Sequence, residues 1–485
     1  MKNLKQKTVK GVFWNALGKA GQLITNFTVH ILLARLLLPK HFGLIAMLTI
    51  FIDVSKIFLS SGFGQSLIQK KKPVDIDYST VFVYNLMVGL LFYIILFFIA
   101  PLISRFYDEP TLIPLTRFLA SILIINAFSL VQNSIIMKKI DFKALSIINI
   151  GSMFFSGSIA VYMAFKGFGV WSLATNTVLY SLIHTILLNV KSNWKLSFKF
   201  SIDSFRELFS FGSKLLIGGL LGKIAQNIYN VIIGKAFSAT ALGYYNQAMK
   251  LQRLPSQNIN AIIQGVTFPV LSSIQDDDAR LKSAYQRILK ILVFINFPLM
   301  IFLIAVSEPL IRQKKKKKWL PAVPYFRLVC IVGMLRPIQS LNINILKVKG
   351  RSGLILRLTI AKLIIAGIVI SISIQWGVLF LVVGQVVISF IAYYINSYYS
   401  GLFINYGLWE QVKDVFPYAI FSSVTGLIIW GVSLFYDNGN ILMLILQLIT
   451  GIGIYFFLAY IFHLDAFKEA VLIFNEYKKK FNAGR

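Results

Sequence analysis

The sequence predicts an all-α polytopic membrane protein of about fourteen transmembrane helices, forming two parallel six-helix lobes around a central cavity, with two extra C-terminal helices. Three observations predict it. Apolar runs of roughly 20 residues, the length a helix needs to cross about 30 Å of hydrocarbon, recur along the whole chain. Of 485 residues, 57% are hydrophobic, against about 45–50% in a soluble domain. Segments also repeat, in order, at a spacing near 200 residues.

Hydropathy places the spans in order at 12–37, 41–66, 79–103, 112–136, 144–166, 168–190, 207–234, 240–273, 284–306, 320–346, 354–374, 377–403, 414–435 and 440–463. The opening MKNLKQKTVK is basic and precedes an apolar run, as in a signal peptide. That run continues to Leu38 without a small-residue cleavage site, so it reads as an uncleaved first helix. With a shift of 200, LLARLLLPKHFGLIA lies over IIGKAFSATALGYYN, pairing Arg35 with Lys235 and Gly43 with Gly243. A shift of 210 pairs Pro114 with Pro324 and Arg117 with Arg327, and one of 208 pairs Gly169 with Gly377. Each half holds six spans, an even number, so the halves share one orientation: 1–200 as an N-lobe, 201–405 as a C-lobe, and 406–485 as two further spans and a tail.

The formal net charge is +31, with 49 Lys and Arg. No soluble basic domain is left over to hold nucleic acid, so the charge reads as membrane topology. Counting span ends with their loops, one side and both tails carry 28 basic residues and the other carries 11, which places both termini in the cytoplasm of a bacterial inner membrane. Six of the 11 are Arg312 and Lys314 to Lys318, read as a solvated loop or as a cationic rim for anionic head groups. The single Cys330 rules out an internal disulfide, and the four histidines have no metal-ligand spacing. Asp276, Asp277 and Asp278 read as a solvated turn, and no phosphate-cradling glycine loop or nucleophile–base pair points to an enzyme.

Ten basic residues fall inside spans, where a lipid-facing charge costs about 2.5–3.5 kcal/mol at mid-bilayer. They therefore point into water or towards partners. Helical spacing groups them with amides. Asn246, Lys250, Arg253, Gln257, Asn260 and Gln264 form one stripe in span eight; Asn15, Lys19, Gln22 and Asn26 form another in span one. Lys223, Asn227 and Asn230 line up in span seven, and Asp53 and Lys56 lie on one face of span two. The candidate cavity residues are Lys19, Asn26, Lys223, Asn227, Asn230, Asn246, Lys250, Arg253, Gln257 and Arg336. Lysine and arginine suit phosphate, and amides suit sugar hydroxyls. Asp53 reads either as a counter-charge to Lys56, one turn away, or as a coupling site for a proton or sodium ion. No cofactor or metal is expected otherwise.

KTVKGVFWNALGKAGQLITNF, LLARLLLPKHFGLIAM, SSGFGQSLIQKK, GYYNQAMKLQRLP and WLPAVPYFRLV resemble the Wzx-type polysaccharide flippases, particularly their colanic-acid and exopolysaccharide branch, within the superfamily of multidrug and oligosaccharidyl-lipid exporters. The likeness covers essentially the whole chain. It implies alternating-access export of undecaprenyl-pyrophosphate-linked oligosaccharide to the outer leaflet for polysaccharide biosynthesis. Membrane lipids and other polysaccharide-assembly proteins would be its partners. The lysine run at 314–318 departs from the more apolar segment usual in that family. Two other readings stay open. An ion-coupled multidrug exporter would want several intramembrane carboxylates where this chain has Asp53 alone, and a polysaccharide polymerase or ligase would want a large outer loop.

Overall fold

The computed structural model describes residues 2–60, 62–315, 317–435 and 441–469, and among them the regular structure is helical. It divides into two compact units, Met1–Asn246 and Gln247–Arg485, and the division falls inside one helix.

The first unit contains α1 (Lys2–Leu36), α2 (Pro39–Ser60), α3 (Phe63–Gln69), α4 (Asp75–Tyr107), α5 (Leu112–Ala127), α6 (Leu130–Lys138), α7 (Phe142–Phe165), α8 (Val170–Lys191), α9 (Ile202–Ala236) and the start of α10 (Ala239–Ser272). α1 packs on α7, α4 on α5, α7 on α8 and α2 on α9. Its apolar cores include Phe63, Leu67, Val81, Phe82 and Leu208 in one cluster and Leu33, Leu37, Ala160 and Leu173 in another. Gly43 and Gly243, paired by the repeat, sit at reciprocal close approaches. A Cβ at Gly43 would stand 1.6 Å from the Ala239 carbonyl oxygen, and one at Gly243 would stand 2.1 Å from that of Pro39. Only glycine fits either place.

The turn between α2 and α4 is pinned by charge. Lys138 at the end of α6 donates from Nζ to the carbonyls of Leu67 (3.1 Å), Ile68 (3.3 Å) and Lys70, satisfying carbonyls that the end of α3 leaves open. Lys70 pairs with Asp77 (3.0 Å) and with Glu207 on α9 (2.8 Å), and the Ser66 hydroxyl donates to the Leu208 carbonyl at 3.1 Å. Asp77, fully buried, also accepts from the Val74 amide at 3.0 Å.

The second unit continues α10 and adds α11 (Asp278–Ala305), α12 (Ser307–Lys315), α13 (Val323–Val348), α14 (Ser352–Ser373), α15 (Val378–Ile404), α16 (Leu408–Phe435) and α17 (Ile441–Ile461). α13 packs on α15, α11 on α16 and on α13, and α16 on α17. Tyr285, Leu289, Phe297, Ile338, Leu341 and Tyr406 lie in its main core. Within it, the Tyr285 hydroxyl donates to Asn342 Oδ1 at 2.8 Å and Gln411 Nε2 donates to the same oxygen at 3.0 Å, so buried amides are satisfied from three helices.

Ten helices among the described residues are long and apolar enough to cross a membrane, eleven if α5 and α6, bent by 43°, form one broken span. The fourteen spans read from the sequence include three more long helices, α1, α9 and α10, which carry the lysine and amide stripes. The sequence also reads 112–136 as one span, where the structure breaks it between Ala127 and Leu130. There the Ser129 hydroxyl donates to the Asn126 carbonyl at 3.0 Å, taking a backbone acceptor from the helix ladder.

Candidate functional site

The first unit brings five of the polar residues read from the sequence, and Lys56 beside them, to one place. Lys223 on α9 donates to Asp53 Oδ2 on α2 at 3.3 Å, and both side chains are partly accessible. Lys56, half-buried one turn beyond Asp53, lies within the field of both. Two ammonium groups against one carboxylate leave one net positive charge (2 − 1 = +1).

An amide ladder runs from that charge along α9. Asn227 Nδ2 donates to the Lys223 carbonyl at 3.1 Å, Asn230 Nδ2 to Asn227 Oδ1 at 3.1 Å, and Asn246 Nδ2 to Asn230 Oδ1 at 3.3 Å. The spacing of Lys223, Asn227 and Asn230 stacks them on one helical face, and Asn246 arrives from the first turns of α10. Every donor points back towards Lys223. Each amide has hydrogen-bonding capacity left, so the ladder is a set of donors and acceptors already held in register.

Other candidates lie elsewhere. Lys19 is exposed on α1 and Asn26 half-buried there, neither hydrogen-bonded to this cluster among the described residues. In the second unit Lys250 is exposed and Arg253 half-buried on α10, with Arg253 Nε buried and unpartnered among the described residues. A neighbouring face of α10 holds Gln252 and Ser256, buried and hydrogen-bonded to each other at 2.9 Å. Arg336 is exposed on α13. The side chains of Asn15, Gln257, Asn260, Gln264 and Lys314 to Lys316 lie outside the described residues.

The ion pair to Asp53 differs from the sequence reading. The spacing suggested Lys56 as partner, whereas the hydrogen-bonded one is Lys223, 170 positions away. Three further buried polar groups carried no signal in the apolar pattern. Asp77 precedes its apolar run and so looked like a loop residue; Asn85 and Asn344 are fully buried singletons. No group of three or more His, Cys, Asp or Glu among the described residues is placed to hold a metal ion.

With this geometry in hand, comparison with known proteins decides the family. The model of the polysaccharide biosynthesis protein family matches residues 32–324. The chain belongs to that family. Among its curated relatives, the teichuronic acid biosynthesis protein TuaB of Bacillus subtilis is 28% identical over 383 residues, covering 78% of this chain and 79% of that protein. The lipopolysaccharide biosynthesis protein WzxC of Escherichia coli is 24% identical over 449 residues, covering 88% and 89%. Among solved structures, the lipid II flippase MurJ in an inward closed conformation superposes with a TM-score of 0.77 at 16% identity, covering 93% of this family member and 99% of that chain. This likeness shows that the chain has the helical fold of that protein.

Proposed function

We propose that this protein is a flippase. It carries undecaprenyl-pyrophosphate-linked oligosaccharide units from the inner to the outer leaflet of a bacterial cytoplasmic membrane, both termini being cytoplasmic, and supplies polysaccharide assembly without catalysing bond formation. The observation that carries the reading is the cluster of Lys223, Lys56 and Asp53 continued by Asn227, Asn230 and Asn246. A net positive charge with a ladder of amides matches a ligand that is anionic at one end and rich in hydroxyls along the rest. The family membership and the transporter fold support it. Lys250, Arg253 and Arg336 extend the cationic character, Lys19 and Asn26 the polar lining. The repeat halves 1–200 and 201–405 are the moving parts of an alternating-access cycle, with 406–485 outside it.

The test is transport of a labelled polyprenyl-pyrophosphate oligosaccharide in proteoliposomes, read as the fraction exposed on the receiving leaflet. Lys223→Gln together with Lys56→Gln is expected to lower the initial rate at least about tenfold, the loss of one or more charge-assisted contacts to phosphate. A rate unchanged at equal protein level refutes the assignment. Asp53 is the carboxylate through which a proton or sodium gradient would be coupled. Asp53→Asn should then make the rate insensitive to an imposed gradient, and a variant that still responds to the gradient rejects that role.

A further inference from the structure

The repeat hides an asymmetry at one pair of arginines. In the first unit Arg117 is covered. Its guanidinium lies 4.2 Å from the Phe97 ring centroid, and its Nε donates to the Phe97 carbonyl at 3.3 Å. The shift of 210 that pairs Arg117 with Arg327 also pairs Phe97 with Ser307 (97 + 210 = 307). Arg327 Nε keeps the equivalent bond, now to the Ser307 hydroxyl at 2.9 Å, but the ring is gone. Beside Arg327 the second unit has a groove of about 460 Å³, lined also by Ile301 and Ile304 of α11 and by Ser423, Leu427 and Trp430 of α16. Leu427 and Trp430 are among the exposed large apolar residues, and Arg327 has no other hydrogen bond among the described residues.

We infer that this groove is a binding site for an anionic glycerophospholipid, with its phosphate on the free edge of the Arg327 guanidinium and an acyl chain along Ile301, Ile304 and Leu427. The groove lies where α11 and α16 end and α13 begins, at a membrane edge, the depth at which a tryptophan and an arginine sit beside head groups. Arginine presents five donors and Ser307 uses one, leaving a planar fork that a phosphodiester oxygen pair fits. The lining contains no amide side chain among the described residues, unlike the ladder beside Lys223. Besides Arg327, the polar side chain in its lining is the Ser423 hydroxyl, too little to follow a run of sugar hydroxyls, so the groove reads one phosphate and a hydrocarbon chain. That selects a bulk membrane lipid over a glycan-bearing one, and the inference stands apart from the proposed transport.

The full-length protein in lipid nanodiscs is exposed to photoactivatable phosphatidylglycerol or phosphatidylcholine and the labelled peptides are mapped. Phosphatidylglycerol is expected to label the α16 peptide containing Leu427 and Trp430 about tenfold more strongly than phosphatidylcholine, as one charge-assisted contact to the phosphate predicts. Arg327→Ala should remove that preference, and Arg117→Ala should leave it intact. Leu427→Trp, which fills the groove with Arg327 kept, should also abolish labelling, so the test survives if Arg327→Ala fails to fold. Equal labelling by both lipids, or full labelling of Leu427→Trp, overturns the site. Displacement of the label by undecaprenyl pyrophosphate at equimolar amounts overturns the choice of occupant.

Discussion

Lys70 shows how much one side chain can hold. It joins the loop after α3 to buried Asp77 and to Glu207 on α9. The hydrogen bond it donates to Glu207, and then the one to Asp77, hold its pKa above the ordinary 10.5. A lysine whose folded pKa is raised stabilises the fold fully below its unfolded pKa and loses that contribution as pH rises through the raised value. Thermal melts of the detergent-solubilised protein at about pH 8 and about pH 11 should therefore show a larger alkaline loss for the wild type than for Lys70→Met, because only the wild type has this contribution to lose. Equal losses would mean the pair holds nothing. The ion pair of Lys223 and Asp53 belongs to the same scale but was half legible. Each residue announces itself by lying charged in an apolar run, while the pairing needs α2 and α9 to pack. Asp77 was not legible at all, because burial there comes from the fold of a turn and not from an apolar neighbourhood in the sequence.

At the scale of the helix, the polar stripes were the most legible feature. A step of three or four residues survives any uncertainty in span ends, so Lys223, Asn227 and Asn230 appear on one face as the spacing requires. The break between α5 and α6 was illegible because neither proline nor glycine marks it. Gly43 and Gly243 govern how closely the starts of α2 and α10 approach. Gly43→Ala puts a methyl carbon where the Ala239 carbonyl oxygen stands, and overpacking of this kind typically costs about 1–3 kcal/mol. The expected result is a lower melting temperature than wild type, with Gly243→Ala lowered similarly. A Gly43→Ala protein that melts with the wild type would show that α2 is free to shift.

For the whole molecule, the orientation drawn from the basic loops is directly checkable. Cys330 is fully buried, so the native chain should be silent to a membrane-impermeant maleimide. Cysteines introduced at Lys71 and at Trp376, both exposed, report opposite faces. In intact cells Trp376→Cys should label and Lys71→Cys should label only after the membrane is opened; the reverse pattern would invert the topology. Membrane class, helical architecture and family were written in composition and motif, because hydrocarbon imposes the same demand on every span. The groove beside Arg327 was not, since it is formed by residues of α11, α13 and α16 that only the packing of those helices brings together.

The contact of Gly43 with Ala239 and of Gly243 with Pro39 maps onto itself when the chain is shifted by 200 (39 + 200 = 239; 43 + 200 = 243). Self-complementarity of this sort is the mark of an isologous interface between two copies of one half-length polypeptide. In such a homodimer a single substitution is suffered twice. Covalent fusion ends that constraint, and each half can then acquire chemistry its twin lacks, as a stacked arginine on one side and an open one on the other illustrate.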